Sequence, residues 1–271
     1  MVGPVAEELI QPLPIEIVVR TERKQALYAK LRTVSSVAGL LGIWTLLSMV
    51  PWSVPIPSPL ASFHALLRLD PVMLATDVAL SCRRVGLGFL IAAILAVPLG
   101  IIAGYSRWIR NIVFPVIEVL RPIPPIAWIP LAILFFPTSE SMVVFLTFLG
   151  AFFPIVYNTM SGFWSIKPMY IRSGKSLGAS EWRLFWHVIL PAMLPIVFAG
   201  LQIAIGISWL MVVAGEMMAA KGGVGALTWE AYQTGRYPLI FVGMAIIGVL
   251  GSLSSLLIKT ISRTISRWDV H

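Results

Sequence analysis

The chain alternates long apolar runs with short polar stretches. Six runs stand out, over residues 34–52, 83–105, 110–136, 141–163, 191–220 and 238–262. Stretches such as Val85–Tyr105 and Met142–Gly162 contain no charged residue. About 20 apolar residues in a helix cross a bilayer core of about 30 Å, so the pattern predicts an all-α membrane protein with about six transmembrane helices. Prolines punctuate it. Pro51, Pro55, Pro57 and Pro59 close the first run, since proline removes a backbone donor and clashes with the preceding turn. Residues 53–82 then read as a long loop holding a short amphipathic helix near Leu60–Leu69. In the third run, Pro122, Pro124, Pro125 and Pro130 follow Arg121 closely. A helix broken so heavily persists at membrane depth only where it is buried in protein or lines a cavity.

Composition agrees with the pattern. The chain is 58% hydrophobic and 12% charged, with a mean hydropathy of +0.89, whereas soluble domains carry about 25% charged residues. The net charge of +8 does not point to nucleic acid, because the basic residues flank apolar runs and form no stripe interleaved with aromatics. They set orientation instead. The segments from Arg20 to Arg32, Arg107 to Arg110, Lys167 to Arg183 and Lys259 to Arg267 hold fourteen Lys and Arg, against three (Arg68, Lys221 and Arg236) on the opposite side. The positive-inside bias places both termini in the cytoplasm. Arg83 and Arg84 read as lying at a helix mouth, and Trp44, Trp52, Trp108, Trp164 and Trp268 lie near span ends. The expected organisation is a cytoplasmic segment over 1–33, a transmembrane domain over 34–262 and a cytoplasmic tail over 263–271. Glu7, Glu8, Glu16 and several prolines precede the first run, unlike a cleavable signal, so the first helix is expected to direct insertion. The lone Cys82 excludes an intramolecular disulfide framework, and His64, His187 and His271 lie too far apart in sequence to indicate a metal site.

Charges within the runs are expensive and mark function by default. Three qualify: Glu118, Arg121 and Glu216. Glu118 and Arg121 stand at i and i+3, close enough to pair. Arg121 beside the broken helix would otherwise attract an anion to a path that Pro124, Pro125 and Trp128 also line. Glu216 has no basic neighbour within a turn, which leaves a bond to another helix or a part in a gate. Gly200, Gly206 and Gly215 read as sites of close helix approach. No internal repeat is visible, and six spans are few for a complete path, which favours a dimer with the path between two copies.

The polar stretch 164–190 is long enough for two short helices, and its charges alternate with Leu177, Leu184, Phe185 and Trp186. So much apolar surface beside charge implies docking on a cytoplasmic partner or lying flat on the membrane. Gly178, followed after nine residues by Val188-Ile189-Leu190-Pro191, resembles the E-A-A-x3-G-x9-I-x-L-P loop of binding-protein-dependent ABC importer permeases. Arg172, Ser173 and Gly174 occupy the E-A-A positions, so that part has diverged.

Further stretches resemble the branch serving nitrate, bicarbonate, taurine and alkanesulfonates. They are Arg84-Val85-Gly86-Leu87-Gly88-Phe89, Val97-Pro98-Leu99-Gly100, the run from Leu120 to Pro130, Gly150 to Pro154, Ser176 to Ser180, and Gly215-Glu216-Met217. Departures fall at Pro137-Thr138-Ser139-Glu140, at Gln202 and in the segment from Lys221 to Pro238.

The resemblance implies a type I ABC importer permease fold in a bacterial inner membrane, a homodimer in contact with lipid. It implies partner ATPase subunits that hold ATP and magnesium, and an extracytoplasmic solute-binding protein. No cofactor is expected on this chain, which has no G-x4-G-K-[ST] sequence. Arg172, Ser173, Gly174, Lys175, Leu177, Gly178, Ala179, Ser180 and Arg183 would meet the ATPase, with the glycine permitting a tight turn. The solute expected is a small oxyanion such as nitrate, bicarbonate or a sulfonate including taurine; pyrimidine vitamin precursors are the alternative. A stand-alone channel or carrier would leave the 164–190 loop unexplained, and a membrane enzyme would need a constellation such as H-E-x-x-H, which the sequence lacks.

Overall fold

A computed structural model describes residues 15–50, 56–219 and 221–266, and all regular structure among them is helical. Pro51, Trp52, Pro55 and Trp268, and most of the expected 263–271 tail, lie outside the described residues. Two units divide at Ala61. In the first, α1 (Ile15–Met49) runs for 35 residues. Its apolar part is Val34–Met49, and Trp44 Nε1 donates to the Pro57 carbonyl at 3.0 Å.

The second unit begins within the next helix and carries the elements after it. A short helix, α2 (Pro59–Leu67), lies where a short helix was expected. The long loop expected over 53–82 does not persist to its end, because α3 begins at Pro71 and continues to Tyr105. Asp70 caps it, accepting from the Val72 N–H at 2.9 Å. Pro71 fits the first turn, where its missing donor costs nothing. The next elements are α4 (Arg107–Leu120), a 3-10 turn (Pro125–Trp128) and α5 (Ile129–Phe135). The third run is thus no straight crossing: α4 and the segment Pro125–Phe135 meet at 88°. Prolines cannot supply the donors that would carry α4 onward.

After α6 (Ser139–Trp164) come α7 (Pro168–Ser176) and α8 (Glu181–Leu184). α8 is the first turn of a helix that continues through a π segment (Phe185–Ile189) into α9 (Leu190–Ala219). Leu190 donates to Phe185 across five residues, a widened turn just before Pro191, which has no donor of its own. α10 (Val224–Gln233) occupies what was expected as a loop, and α11 (Tyr237–Ile265) is the last helix among the described residues. Among the described residues, four helices are long and apolar enough to cross a membrane, and the bent pair makes up to five.

α6 is the central helix, packed between α3 and α9. Its Val143, Leu146, Ala151, Ile155, Val156 and Met160 are fully buried. Small residues make this possible. Gly88, Ala92, Ala96, Gly100 and Gly104 recur every four residues along α3, which places them on one face. A Cβ added at Gly88 would sit 2.5 Å from Thr147, one at Gly100 2.6 Å from Thr159, and one at Gly104 2.7 Å from Phe163. Toward α9, a Cβ at Gly200 would meet Asn158 at 2.5 Å and one at Gly215 would meet Val143 at 3.2 Å. Gly206, expected to act likewise, has open space around it. Leu90, Ile94, Leu134, Leu253 and Leu257 are exposed.

The packing separates two kinds of glycine. Gly88→Leu should force α3 off α6 and cost about 1–3 kcal/mol, read as a lower melting temperature in detergent. Gly86→Leu, with nothing within 4 Å of its Cβ, should melt as the parent does. Equal melting of both variants would show that the α3–α6 approach is not what the glycines serve.

Candidate functional site

Three groups of candidate residues lie in the second unit, two of them at opposite ends of its helices. At one end lies the 164–190 segment. α7 ends in a Schellman motif: the Gly178 N–H donates to the Lys175 carbonyl at 3.0 Å and the Ala179 N–H to the Gly174 carbonyl at 3.1 Å. This needs a left-handed residue, and Gly178 supplies it with φ +76° and no atom within 4 Å of a Cβ. Ser180 then caps α8. Gly174 is small for another reason, since a Cβ there would lie 2.5 Å from Leu184. The divergence from E-A-A at that position thus matches a neighbour that fills the space.

The underside of the segment is fixed. Ile166, Leu184 and Ile189 are buried with Met193 and Val197, and Ile171 and Ala179 pack on them. Lys175 reaches Glu181 at 2.6 Å, whose hydrogen bond holds the ammonium pKa above its ordinary value. Glu181 in turn lies 3.4 Å from the Tyr105 hydroxyl, tying the turn to the end of α3. The other side is bare. Leu177 is 88% exposed and Trp182 71%, with Met169, Tyr170 and Trp186 also exposed, and Arg172, Ser173, Ser180 and Arg183 lie at the surface beside them. The segment thus brings together every residue that the loop resemblance singled out.

The broken helix holds the second group. Glu118, Arg121 and Pro124 are exposed, and Pro125 and Trp128 half-buried. Trp128 packs on the core cluster of Ile129, Ala132 and Met142. Of the two uses open to Arg121, the pair with Glu118 does not form; among the described residues no ion pair joins them. Instead the Arg121 guanidinium lies over the Tyr157 ring of α6, 4.1 Å from its centroid. Arg121 caps the end of α4, where the chain turns toward the prolines, and this aims its side chain at α6 rather than back along its own helix.

Glu216 belongs elsewhere, at the end opposite the 164–190 segment. Its side chain and that of Arg84 are both 0% exposed, and they pair at 2.7 Å. Of the two uses open to Glu216, the structure displays the bond to another helix, and its carboxylate offers no surface to a path in this conformation. The Ser81 hydroxyl sits between its two oxygens at 2.8 and 2.9 Å, and the Gly225 N–H donates at 2.9 Å. Arg84 also donates to the Gly222 carbonyl at 2.8 Å and grips Glu140 of α6 through Nε and Nη2. Arg83 meets Glu140 at 2.7 Å. Gly222 and Gly223, at φ +84° and +109°, bend the chain so closely around Glu216 that a Cβ at Gly223 would fall 2.4 Å from its carboxylate. Asp77 accepts from the Gly223 N–H at 2.7 Å.

Arg84 is therefore not at a helix mouth. It lies about four turns into α3 and is the charge that sequence reasoning missed. The signal is an arginine within an apolar helix pattern, hidden because the uncharged run begins only at Val85 while the helix begins at Pro71.

Comparison with known proteins identifies the architecture. Residues 96–268 match the family model for the binding-protein-dependent transport system inner membrane component. The chain is 35% identical to the nitrate import permease protein NrtB of Leptolyngbya laminosa, covering 82% of this chain and 83% of that one. It is 31% identical to the taurine transport system permease protein TauC of Escherichia coli K12, covering 87% and 89%. Among solved structures, the inward-facing MetNI methionine ABC transporter superposes with a TM-score of 0.63 at 17% identity, over 73% of this chain and 99% of that chain. A bacterial ABC transporter that imports alginate superposes at 0.59 and 16%, over 93% and 99%. At such identities the superpositions speak for the fold, which is that of a type I ABC importer permease.

The left-handed turn has a direct test. Gly178→Ala should cost about 1–2 kcal/mol of backbone strain, seen as faster amide exchange over Leu177–Ser180. Gly178→Asn should recover most of the protection, because asparagine tolerates this conformation. Unchanged exchange in the alanine variant would show that the turn carries no such constraint.

Proposed function

The chain belongs to the binding-protein-dependent transport system inner membrane component family, and from that premise we propose an importer for a small oxyanion in which this chain forms the path as a homodimer. Its function as a membrane-spanning permease subunit of an ABC importer follows from the family and the fold. One observation carries the assignment of the ATPase-docking surface. The 164–190 segment is held rigid by a buried underside and presents Leu177 and Trp182 to solvent on the other face. Exposed aromatics and leucine framed by Arg172, Lys175 and Arg183 have the make-up of a protein interface, an apolar centre within a charged rim. A segment that merely lay on the membrane would not need a rigid turn shaped by Gly178. ATP hydrolysis then falls to separate subunits.

The solute reading rests on the relatives, named for nitrate and taurine import, and on Arg121. Its guanidinium lies exposed at the break of α4, where a cation lowers the barrier to an anion. Nitrate, bicarbonate and sulfonates including taurine share that chemistry; a pyrimidine vitamin precursor does not require it. The charge bias places the 164–190 end in the cytoplasm with both termini, the Arg84 end outside, and the exposed apolar bands against lipid or the second copy.

Docking is tested by Leu177→Glu, which alters no internal contact. Recovery of tagged ATPase with the permease should fall about tenfold or more, as for loss of an interface anchor, with membrane insertion unchanged. Equal recovery, with transport intact, would remove this surface as the docking site.

The path is tested separately. Arg121→Ala should lower oxyanion transport in vesicles while ATPase recovery stays at the parent value, and Arg121→Lys should keep part of the activity. Full transport by an assembled alanine variant would assign Arg121 to packing on Tyr157 alone.

A further inference from the structure

Neither ATPase docking nor the path residues make use of the Arg84 cluster. A static contact between α3, α6 and α9 would need no charge there, since apolar groups of similar volume often replace a buried ion pair at no cost. The cluster does what an apolar contact could not. It grips α10 through the turn before it and its first two residues: the Gly222 carbonyl, the Val224 N–H on Ser81 and the Gly225 N–H on Glu216. It is graded from dry to wet, with the Glu216 pair fully buried and the Glu140 side chain 42% exposed. The helix it grips is bounded by left-handed glycines on both sides, Gly222 and Gly223 before it and Gly235, at φ +68°, after it. The outer side of α10 meets α9 across an open cleft of about 440 Å³, lined by Met218, Lys221, Trp229 and Gln233 among others.

We propose that Arg84 is the positioning residue of a latch that holds α10 closed against the outer end of α9, and that solute uptake proceeds with release of α10. Glu140 is the releasable arm. It acts through Arg84: its exposed carboxylate can exchange Arg84 and Arg83 for solvent, and Arg84, then fixed by Glu216 alone, loses the orientation in which it holds the Gly222 carbonyl before α10. The glycines on either side then let α10 move without strain elsewhere. Contacts made only in the closed state bias the conformational equilibrium by their own free energy. Weakening them therefore favours the open state before any binding protein has acted. This inference rests on the importer reading and on the Arg84 end facing outward.

The test uses the purified permease–ATPase complex in lipid nanodiscs, measuring ATP hydrolysis with and without solute-loaded binding protein. Arg84→Lys keeps the charge but loses the fork that joins Glu216 to Glu140. Glu140→Gln leaves the buried pair intact and covers the case in which the lysine variant fails to fold. Each should raise hydrolysis in the absence of binding protein by about threefold or more and lower the stimulation ratio correspondingly. A merely structural cluster would lower the melting temperature and leave that ratio at the parent value; this result in a folded Glu140→Gln complex overturns the latch. Only complexes that hold both subunits are scored, so a failure here leaves the importer reading standing, whereas loss of that reading would show in the Leu177→Glu recovery.

Discussion

A charge removed from water must be answered inside the protein, and Arg84 makes that constraint the organising fact of one end of this molecule. Its guanidinium is fully buried in α3 and answered by Glu216 of α9, Glu140 of α6 and the Gly222 carbonyl. Leaving one member of such a set unpaired costs several kcal/mol, so the helices that carry them keep one register. The glycine turn follows from the same demand. Only residues without a side chain can wrap a carboxylate as tightly as Gly223 and Gly225 wrap Glu216. Gly225, in the first turn of α10, donates its free N–H to that carboxylate, where the helix dipole also favours negative charge.

The middle of the bundle obeys a different rule. In lipid there is little hydrophobic drive between helices, and packing has to come from close backbone approach. The repeat of Gly88, Ala92, Ala96, Gly100 and Gly104 on α3 gives α6 that approach on one side, and Gly200 and Gly215 of α9 give it on the other. Large side chains such as Leu146, Ile155 and Met160 then fill the space beside the small ones. A stiff three-helix core results, with the polar cluster at one end and the 164–190 segment at the other.

That segment shows how one loop can be both rigid and available. Its apolar residues divide by position: Ile166, Leu184 and Ile189 turn inward to the ends of α3, α6 and α9, while Leu177 and Trp182 turn outward. Gly178 makes the division possible, because the left-handed turn ends α7 and lifts Leu177 to the tip. The π segment just beyond, before Pro191, lets the same helix continue from the surface into the membrane without a break. The helix that starts at Glu181 thus runs on into α9, whose far end carries Glu216.

The sequence by itself determined the helical class, the apolar runs, the tight turn at Gly178 and the break after Arg121. Each of these is encoded locally, in hydropathy, in proline and in glycine, within a window of a few residues. Only the tertiary structure decided where the charges go. Arg84 meets Glu216 across 132 positions and Glu140 across 56, and Arg121 turns to Tyr157 instead of the nearer Glu118. Partners so distant are set by helix packing, which no local pattern records. The long α3 and the helical α10 escaped for the same reason. Asp70 and Pro71 start α3 in an apolar stretch that Asp77, Arg83 and Arg84 interrupt, and α10 is a ten-residue helix of the kind that is marginal alone in water, held by the packing of Val224, Thr228 and Ala231 against its neighbours.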